Sequence, residues 1–317
     1  MLEKSKMKIL LIGLGRIGFR HAQSLVNEGA AELHLVDPVN IDSKIDILLN
    51  HIEVKTNVHI YSDLTEFLKK ELTVDIAIIA TTSETRFELL SQCLDAGISG
   101  KYLLEKLLAP DLRYLEKYKA IKDSVAADIY VNCPQRTYPF YRNLLAKNEE
   151  IISARYAGFK YIGLGSNVIH YVDLIESMTG KKIITGSGAK LHSIIGSKRP
   201  EYMEYLGEIE LTIGEIQFSF AAFDQETPLA NFYIETNLHK YHIDELENKA
   251  YRNGKLFFEK CIKNQSDITY FLCQEIILGQ STLPSLKQSI RQHKIVLNVL
   301  QDRHVELADK TMPFKVS

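Results

Sequence analysis

The sequence predicts an α/β protein with a doubly wound parallel sheet at its N-terminus. A second α/β domain follows, built on a large, open, mostly antiparallel sheet. Three observations lead there. Residues 8–12 form an apolar run that ends in Gly13-Leu14-Gly15-Arg16-Ile17-Gly18 and passes into a helical pattern. Strand and helix patterns alternate as far as residue 133. From about residue 189 to 259, extended runs succeed one another with few helices.

In the glycine-rich turn each glycine serves a separate purpose. Gly13 permits the tight turn, Gly15 lets a pyrophosphate approach the backbone, and Gly18 lets the helix pack closely on the strand. The helix start at Arg16 and Ile17 presents free N–H groups and a partial positive charge to phosphates. Residues 33–37 read as a second strand ending in Asp37, roughly the expected 20 residues after the glycines. An acid there accepts hydrogen bonds from the adenosine ribose hydroxyls and repels a 2′-phosphate. Pro38, Val39 and Asn40 bring no positive charge to offset that repulsion. The expected cofactor is therefore NAD(H), favoured over NADP(H).

Further strands are expected at 57–61, 75–80, 101–105 and 128–132. Asp75-Ile76-Ala77-Ile78-Ile79-Ala80 is nearly all apolar, as a strand buried on both faces should be. Between Glu84 and Gly97, Phe87, Leu90 and Leu94 share a helical face, and Gly97 is a C-terminal stop. This alternation predicts right-handed crossovers and a Rossmann dinucleotide-binding domain over residues 1–133. In residues 134–317, 149–160 read as a strand and 167–179 as a helix ending near Gly180, capped by Ser166 or Asn167. Extended runs at Leu206–Ile213, Ile216–Phe223, Asn231–Thr236 and Lys240–Ile243 follow, turned at Gly214-Glu215 and Arg252-Asn253-Gly254. Two helical patterns, 265–278 and 284–302, close the chain. No repeat, low-complexity stretch or flexible linker separates the domains.

A chain of 317 residues, 45% hydrophobic and 25% charged, fits two ordinary globular domains. A net charge of −2 gives no reason to expect nucleic acid or an anionic membrane as partner. The polar tail at residues 1–6 lacks the apolar core of a secretion signal, and no apolar stretch approaches membrane-spanning length. Cys93, Cys133, Cys261 and Cys273 show no metal-type spacing and read as reduced, packed thiols of a cytoplasmic protein. His239 and His242 lie three apart in an extended run, so they point to opposite faces and make no metal pair. No metal is expected.

In doubly wound folds the substrate lies beyond the carboxyl ends of the strands. Three such ends carry polar residues: Thr81-Thr82-Ser83, Glu105-Lys106, and Asn132 followed by Gln135-Arg136. A lysine just past a buried strand can aim its ammonium at a reacting oxygen, which singles out Lys106, although a solvated lysine at a loop start would look the same. In Gly165-Ser166-Asn167-Val168-Ile169-His170-Tyr171-Val172-Asp173, His170 and Asp173 share a helical face. A histidine poised near neutral pH suits proton exchange with a hydroxyl, and a neighbouring carboxylate can orient it.

The order of these motifs resembles the glucose-fructose oxidoreductase, inositol dehydrogenase and MocA (Gfo/Idh/MocA) family, well over the N-terminal domain and loosely over the second. The matching segments are Gly13/Gly15/Gly18, Glu105-Lys106-Leu107, Asn132-Cys133-Pro134-Gln135-Arg136, and Ser166 with His170 and Asp173. The resemblance implies oxidation or reduction of a sugar, cyclitol or nucleotide-sugar hydroxyl. It also implies a substrate-binding second domain whose open sheet forms a homodimer or homotetramer interface. By the same resemblance Lys106 hydrogen-bonds the substrate oxygen and His170 takes its proton. Asn167, Asp173 and Arg136 orient the substrate, and Thr81, Thr82, Glu105 and Lys106 join the glycine turn and Asp37 around the cofactor.

The chain departs from the family pattern at three places. Leu107 stands where the family has proline, which removes a backbone constraint and the usual occasion for a cis bond. Ser166 stands in place of an aspartate, and Arg86 in place of a histidine. Beside an NAD-dependent oxidoreductase, Ser166 and Leu107 therefore leave open a non-catalytic NAD-binding regulator of the same fold. An enzyme that retains and recycles NAD within one catalytic cycle is open too. Substrate choice falls to the second domain, near Tyr161, Lys190, His192 or Arg199.

Overall fold

The computed structural model describes residues 7–30, 32–39, 42–49, 56–121, 125–308 and 312–316. The polar tail at 1–6 and Asn40 lie outside the described residues. The chain divides into two compact units. One is Met1–Leu108 with Lys117–Asn132 and Lys263–Leu286; the other is Ala109–Glu116 with Cys133–Ile262 and Lys287–Ser317.

The N-terminal part runs β1 (Lys8–Ile12), α1 (Arg16–Asn27), β2 (Glu32–Val36), α2 (Asp42–Leu49), β3 (Asn57–Tyr61), α3 (Leu64–Leu68), β4 (Ile76–Ile79), α4 (Arg86–Asp95), β5 (Lys101–Leu104), α5 (Leu112–Ile121) and β6 (Asp128–Val131). Its six strands lie in the order β3-β2-β1-β4-β5-β6 and pair in parallel throughout. Strand order reverses between β1 and β4, the switch point beyond which ligands of such sheets bind. β4 is buried along its whole length, as its apolar run requires.

The second unit contains short helix α6 (Pro139–Arg142), β7 (Ile151–Phe159), α7 (Leu164–Thr179), β8 (Ile183–Gly196), β9 (Met203–Ile213), β10 (Ile216–Phe223), β11 (Ala230–Thr236), β12 (Lys240–Asp244), β13 (Lys249–Arg252) and β14 (Lys255–Glu259). Helices α8 (Gln265–Ile277) and α9 (Leu286–Leu307) end the chain. The eight strands are ordered β14-β13-β12-β11-β7-β10-β9-β8. Only β7 and β10 are parallel neighbours; the other described pairs are antiparallel. α7 packs on one face, where Tyr171 meets Tyr156, Phe220 and Phe232 in an aromatic core. The opposite face is partly exposed and carries a Tyr233–His242–Tyr251 stack.

α8 follows the second unit's strands in sequence but groups with the first unit. Tyr270, Leu272, Cys273 and Ile276 join Leu25, Val26 and Leu33 in one buried cluster, and Tyr270 N donates to Ser24 Oγ at 3.1 Å. The chain beyond α8 then runs beside β6, with Val131 N bonded to Pro284 O at 3.0 Å, and so covers a sheet edge. All four cysteines are free and buried. His239 and His242 have separate partners, Glu149 and Asn231. Among the described residues no helix is long and apolar enough to cross a membrane.

Candidate active site

The glycine turn joins β1 to α1. Gly13 has φ +92°, and a Cβ on it would sit 2.9 Å from Thr81 Cγ2. A Cβ on Gly18 would fall 1.8 Å from the Gly13 carbonyl oxygen. Gly15 differs: a Cβ there meets nothing within 4 Å among the described residues. Gly13 and Gly18 are therefore demanded by the protein's own packing, whereas Gly15 leaves open space at the start of α1. Among the described residues no side chain caps that helix, and its first turn holds no acid, so its positive end faces the open space. Asp37, just past β2, accepts from Leu14 N (2.5 Å) and Val39 N (2.9 Å). The acid thus lies against the turn, with lone pairs left for ribose hydroxyls. An open cradle, a bare helix start and an adjoining acid fit a dinucleotide. Arg16 is exposed and Ile17 half-buried at the same helix start.

The ends of β4 and β5 are tied together by Arg86. This fully buried guanidinium donates through Nη1 to the Leu107 carbonyl and through Nη2 to the Thr81 carbonyl at 2.5 Å. Thr82 is half-buried beside Thr81. Lys106 is half-buried between two buried neighbours, Glu105 and Leu107. The Lys106–Leu107 peptide is cis although residue 107 is not proline, contrary to the expectation from sequence. The bond lies where Arg86 grips the Leu107 carbonyl.

Glu105 is buried and turned inward. Its Oε1 meets His21 Nε2 at 2.9 Å and also accepts from Asn132 Nδ2. His21 Nδ1 meets Thr269 Oγ1 at 2.9 Å, and Gln265 Oε1 accepts from Asn132 Nδ2 at 2.9 Å. Burial pushes the Glu105 carboxyl up, but the His21 hydrogen bond and charge, Asn132 and Arg86 outweigh it and hold it at about 2. This network links the cofactor helix α1, the β5 end, the β6 end and α8.

In the second unit His170 is half-buried on α7, and Asp173, one turn on, is fully buried. Asp173 Oδ1 accepts from Arg136 Nη1 at 3.0 Å and Gln292 Nε2 at 3.1 Å. Asp173 Oδ2 has no hydrogen-bond partner among the described residues. Burial raises this carboxyl to about 6 against the opposing pull of Arg136 and Gln292. Next to it Glu176 forms a bidentate pair with Arg291, at 2.7 and 2.6 Å. Arg136 and Asp173, both expected to orient substrate, are thus brought together as a buried ion pair.

The start of α7 corrects one expectation. The helix begins at Leu164 and its N-cap is Gly163 (φ +75°), so Ser166 and Asn167 lie inside the first turn. Ser166 Oγ donates to Gly163 O at 3.2 Å, and Asn167 Nδ2 donates to Ile162 O at 2.5 Å. The reason is Glu204 on β9, whose carboxylate accepts from Gly165 N (2.6 Å) and Ser166 N (3.2 Å). A capping acid from a distant strand moves the helix start earlier by a turn.

Sequence reasoning missed Glu204, His21, Gln265 and the clamp made by Arg86. His21 had a signal, being a polar residue on the inward face of α1 three positions after Gly18. Glu204 had a weaker one, an acid at an inward position of a strand.

Residues 7–132 match the family described as an oxidoreductase family with an NAD-binding Rossmann fold, GFO_IDH_MocA. That match falls within the N-terminal part of the chain. Three solved structures resemble the chain over nearly its whole length. UDP-N-acetylglucosamine 3-dehydrogenase GnnA from Acidithiobacillus ferrooxidans is 14% identical, with TM-score 0.70 over 93% of this chain and 97% of that one. Myo-inositol 2-dehydrogenase from Lactobacillus plantarum is 18% identical, with TM-score 0.69 over 95% and 98%. The WlbA dehydrogenase from Chromobacterium violaceum, in complex with NADH and UDP-GlcNAcA, is 16% identical, with TM-score 0.69 over 96% of each chain. At these identities the likeness establishes the fold. No curated protein matches the sequence.

Proposed function

We propose that this chain is an oxidoreductase of the Gfo/Idh/MocA kind, an NAD-dependent dehydrogenase or reductase acting on a secondary hydroxyl or ketone of a sugar, cyclitol or nucleotide-sugar. The observation that carries the reading is a dinucleotide cradle in the same unit as Lys106, whose backbone is held through Glu105 and Arg86. The titles of the similar structures name nucleotide-sugar and inositol dehydrogenases, which motivates the substrate class.

NAD, when bound, supplies the carbon that accepts the hydride of the substrate carbinol. Gly15 and the start of α1 would hold the pyrophosphate and Asp37 the adenosine ribose, with Thr81 and Thr82 beside the turn. Asp37 disfavours a 2′-phosphate, which is the ground for NAD(H) over NADP(H). Lys106 donates a hydrogen bond to the substrate oxygen and stabilises negative charge as it develops. His170 would take the hydroxyl proton. Asn167, Arg136 and Asp173 act through position: the first braces the start of α7, and the other two fix its side facing α9. The half-exposed face of the eight-stranded sheet is proposed as the contact surface of a homo-oligomer.

The test is nicotinamide absorbance during incubation with NAD or NADH and a panel of sugars, cyclitols and nucleotide-sugars. Wild type is expected to turn over one member. Lys106→Ala should lose at least about 100-fold in turnover while binding NADH as wild type does. Equal loss of turnover and NADH affinity would refute the role given to Lys106.

A further inference from the structure

We infer that Glu204 is a positioning residue of the active site, setting the first turn of α7 and through it the place of His170. The inference rests on the reading of His170 as the proton acceptor, and adds how that residue is held.

The first turn of α7 has no acid of its own, and its N-cap is a glycine without a side chain to offer. Left so, its leading N–H groups would be unsatisfied in a buried setting. Glu204 reaches them from β9. Its Oε2 lies 2.6 Å from Gly165 N, its Oε1 3.2 Å from Ser166 N, and the residue is 6% exposed. A carboxylate on two backbone donors at a helix N-terminus combines charge-assisted hydrogen bonds with the favourable end of the helix dipole.

The chain is shaped around this carboxylate. A Cβ on Gly163 would lie 2.8 Å from Glu204 Oε1 and 2.5 Å from Ser166 Oγ, and one on Gly165 would lie 3.2 Å from Glu204 Oε2. The side chains of Ser166 and Glu204 therefore address one point above Gly163. A carboxylate carried on residue 166 would reach the same point. The charge can come from the helix or from the strand, but the space holds one. With Glu204 filling it, a small neutral residue at 166 is what fits.

His170 stands four residues after Ser166, one turn along the same face. The direction in which Glu204 pulls the first turn fixes where the imidazole stands. Asn167 adds to the grip by holding the carbonyl of Ile162 at 2.5 Å.

The experiment compares wild type with Glu204→Gln, Ser166→Asp and the double variant. The readouts are the rate at which diethyl pyrocarbonate modifies His170, followed by peptide mass spectrometry, the thermal midpoint, and NADH affinity. Glu204→Gln should change the His170 rate by about threefold or more and lower the midpoint, as loss of a cap does. The double variant returns the carboxylate from position 166 and should bring both values back towards wild type. Ser166→Asp alone sets two carboxylates at one point and should be the least stable of the folded set. NADH affinity should hold throughout. An unchanged His170 rate in Glu204→Gln, or a double variant no closer to wild type than that single variant, would overturn the inference. If Glu204→Gln does not fold, Glu204→Asp takes its place, drawing the charge back by one methylene, and an unchanged His170 rate there would overturn the inference equally. The modification rate is read without turnover. A wild type inactive on every substrate would count against the proposed function and not against Glu204.

Discussion

Replacing Glu105 by glutamine tests the network that holds Lys106 in place. The side chain keeps its size and one acceptor oxygen, but the charge that faces His21 and Arg86 is removed. In the native chain that carboxyl is held at about 2, against an ordinary glutamate value of about 4.3, and the difference is worth about 3 kcal/mol. The burial of both Glu105 and His21 argues that little of this is lost to solvent screening. Because the folded value lies below the unfolded one, the stabilisation is present above about pH 4.3 and lost as pH falls towards 2. Near pH 7, Glu105→Gln should therefore unfold about 6–12 °C below wild type in a thermal scan. The gap should shrink to about half by pH 3. A gap that stays constant from pH 7 to pH 3 would refute the ionic origin of the stabilisation. A variant as stable as wild type at neutral pH would refute the network's importance altogether.

Two other perturbations separate packing from binding and reverse the pH argument. Gly18→Ala places a methyl 1.8 Å from the Gly13 carbonyl and should cost about 1–3 kcal/mol by overpacking. Gly15→Ala should leave the thermal midpoint unchanged yet weaken NADH binding in a fluorescence titration; full affinity there would remove Gly15 from the pyrophosphate site. Asp173 is raised to about 6 by burial, so its ionisation opposes folding, and wild type gains from this group as pH falls. Measured by denaturant titration, the stability of wild type relative to Asp173→Asn should rise by about 2.4 kcal/mol from pH 8 to pH 4, and a flat difference would contradict the assignment.

The first sheet was legible because its signals are local. β1, β3 and the glycine turn each declare themselves within a few residues, and the expected spans agree with the observed strands to within a residue or two. β10 agrees in full and β9 starts three residues earlier than expected, and their hairpin closes at Gly214-Glu215 as their spacing predicts. β8 was not legible. No strand was expected over 183–188, yet Gly186 and Gly188 sit there where a side chain would press on Val299 of α9, and the strand pairs with β9 through three register shifts. In the candidate site, a turn whose geometry one segment carries, Gly13–Gly18, was legible. The site was hidden where two distant segments make one device. Glu204 and the first turn of α7 are 38 residues apart, and His21 and Thr269 are 248 apart. No periodicity links such pairs. The pattern of α8 likewise announces a helix without saying which sheet it serves.

The return of α8 to the first sheet has a consequence for how the protein is made. A ribosome releases β1 to β6 long before residues 263–286 exist. Until they emerge, the flank of α1 around Leu25 and Val26 lacks the apolar cover that α8 gives it, and His21 and Asn132 lack Thr269 and Gln265. The entire second sheet is synthesised in the meantime. The first unit is thus begun before the second sheet and finished only after it. Its completion is a checkpoint in the life of the nascent chain, passed only by molecules translated through α8 and the segment beside β6.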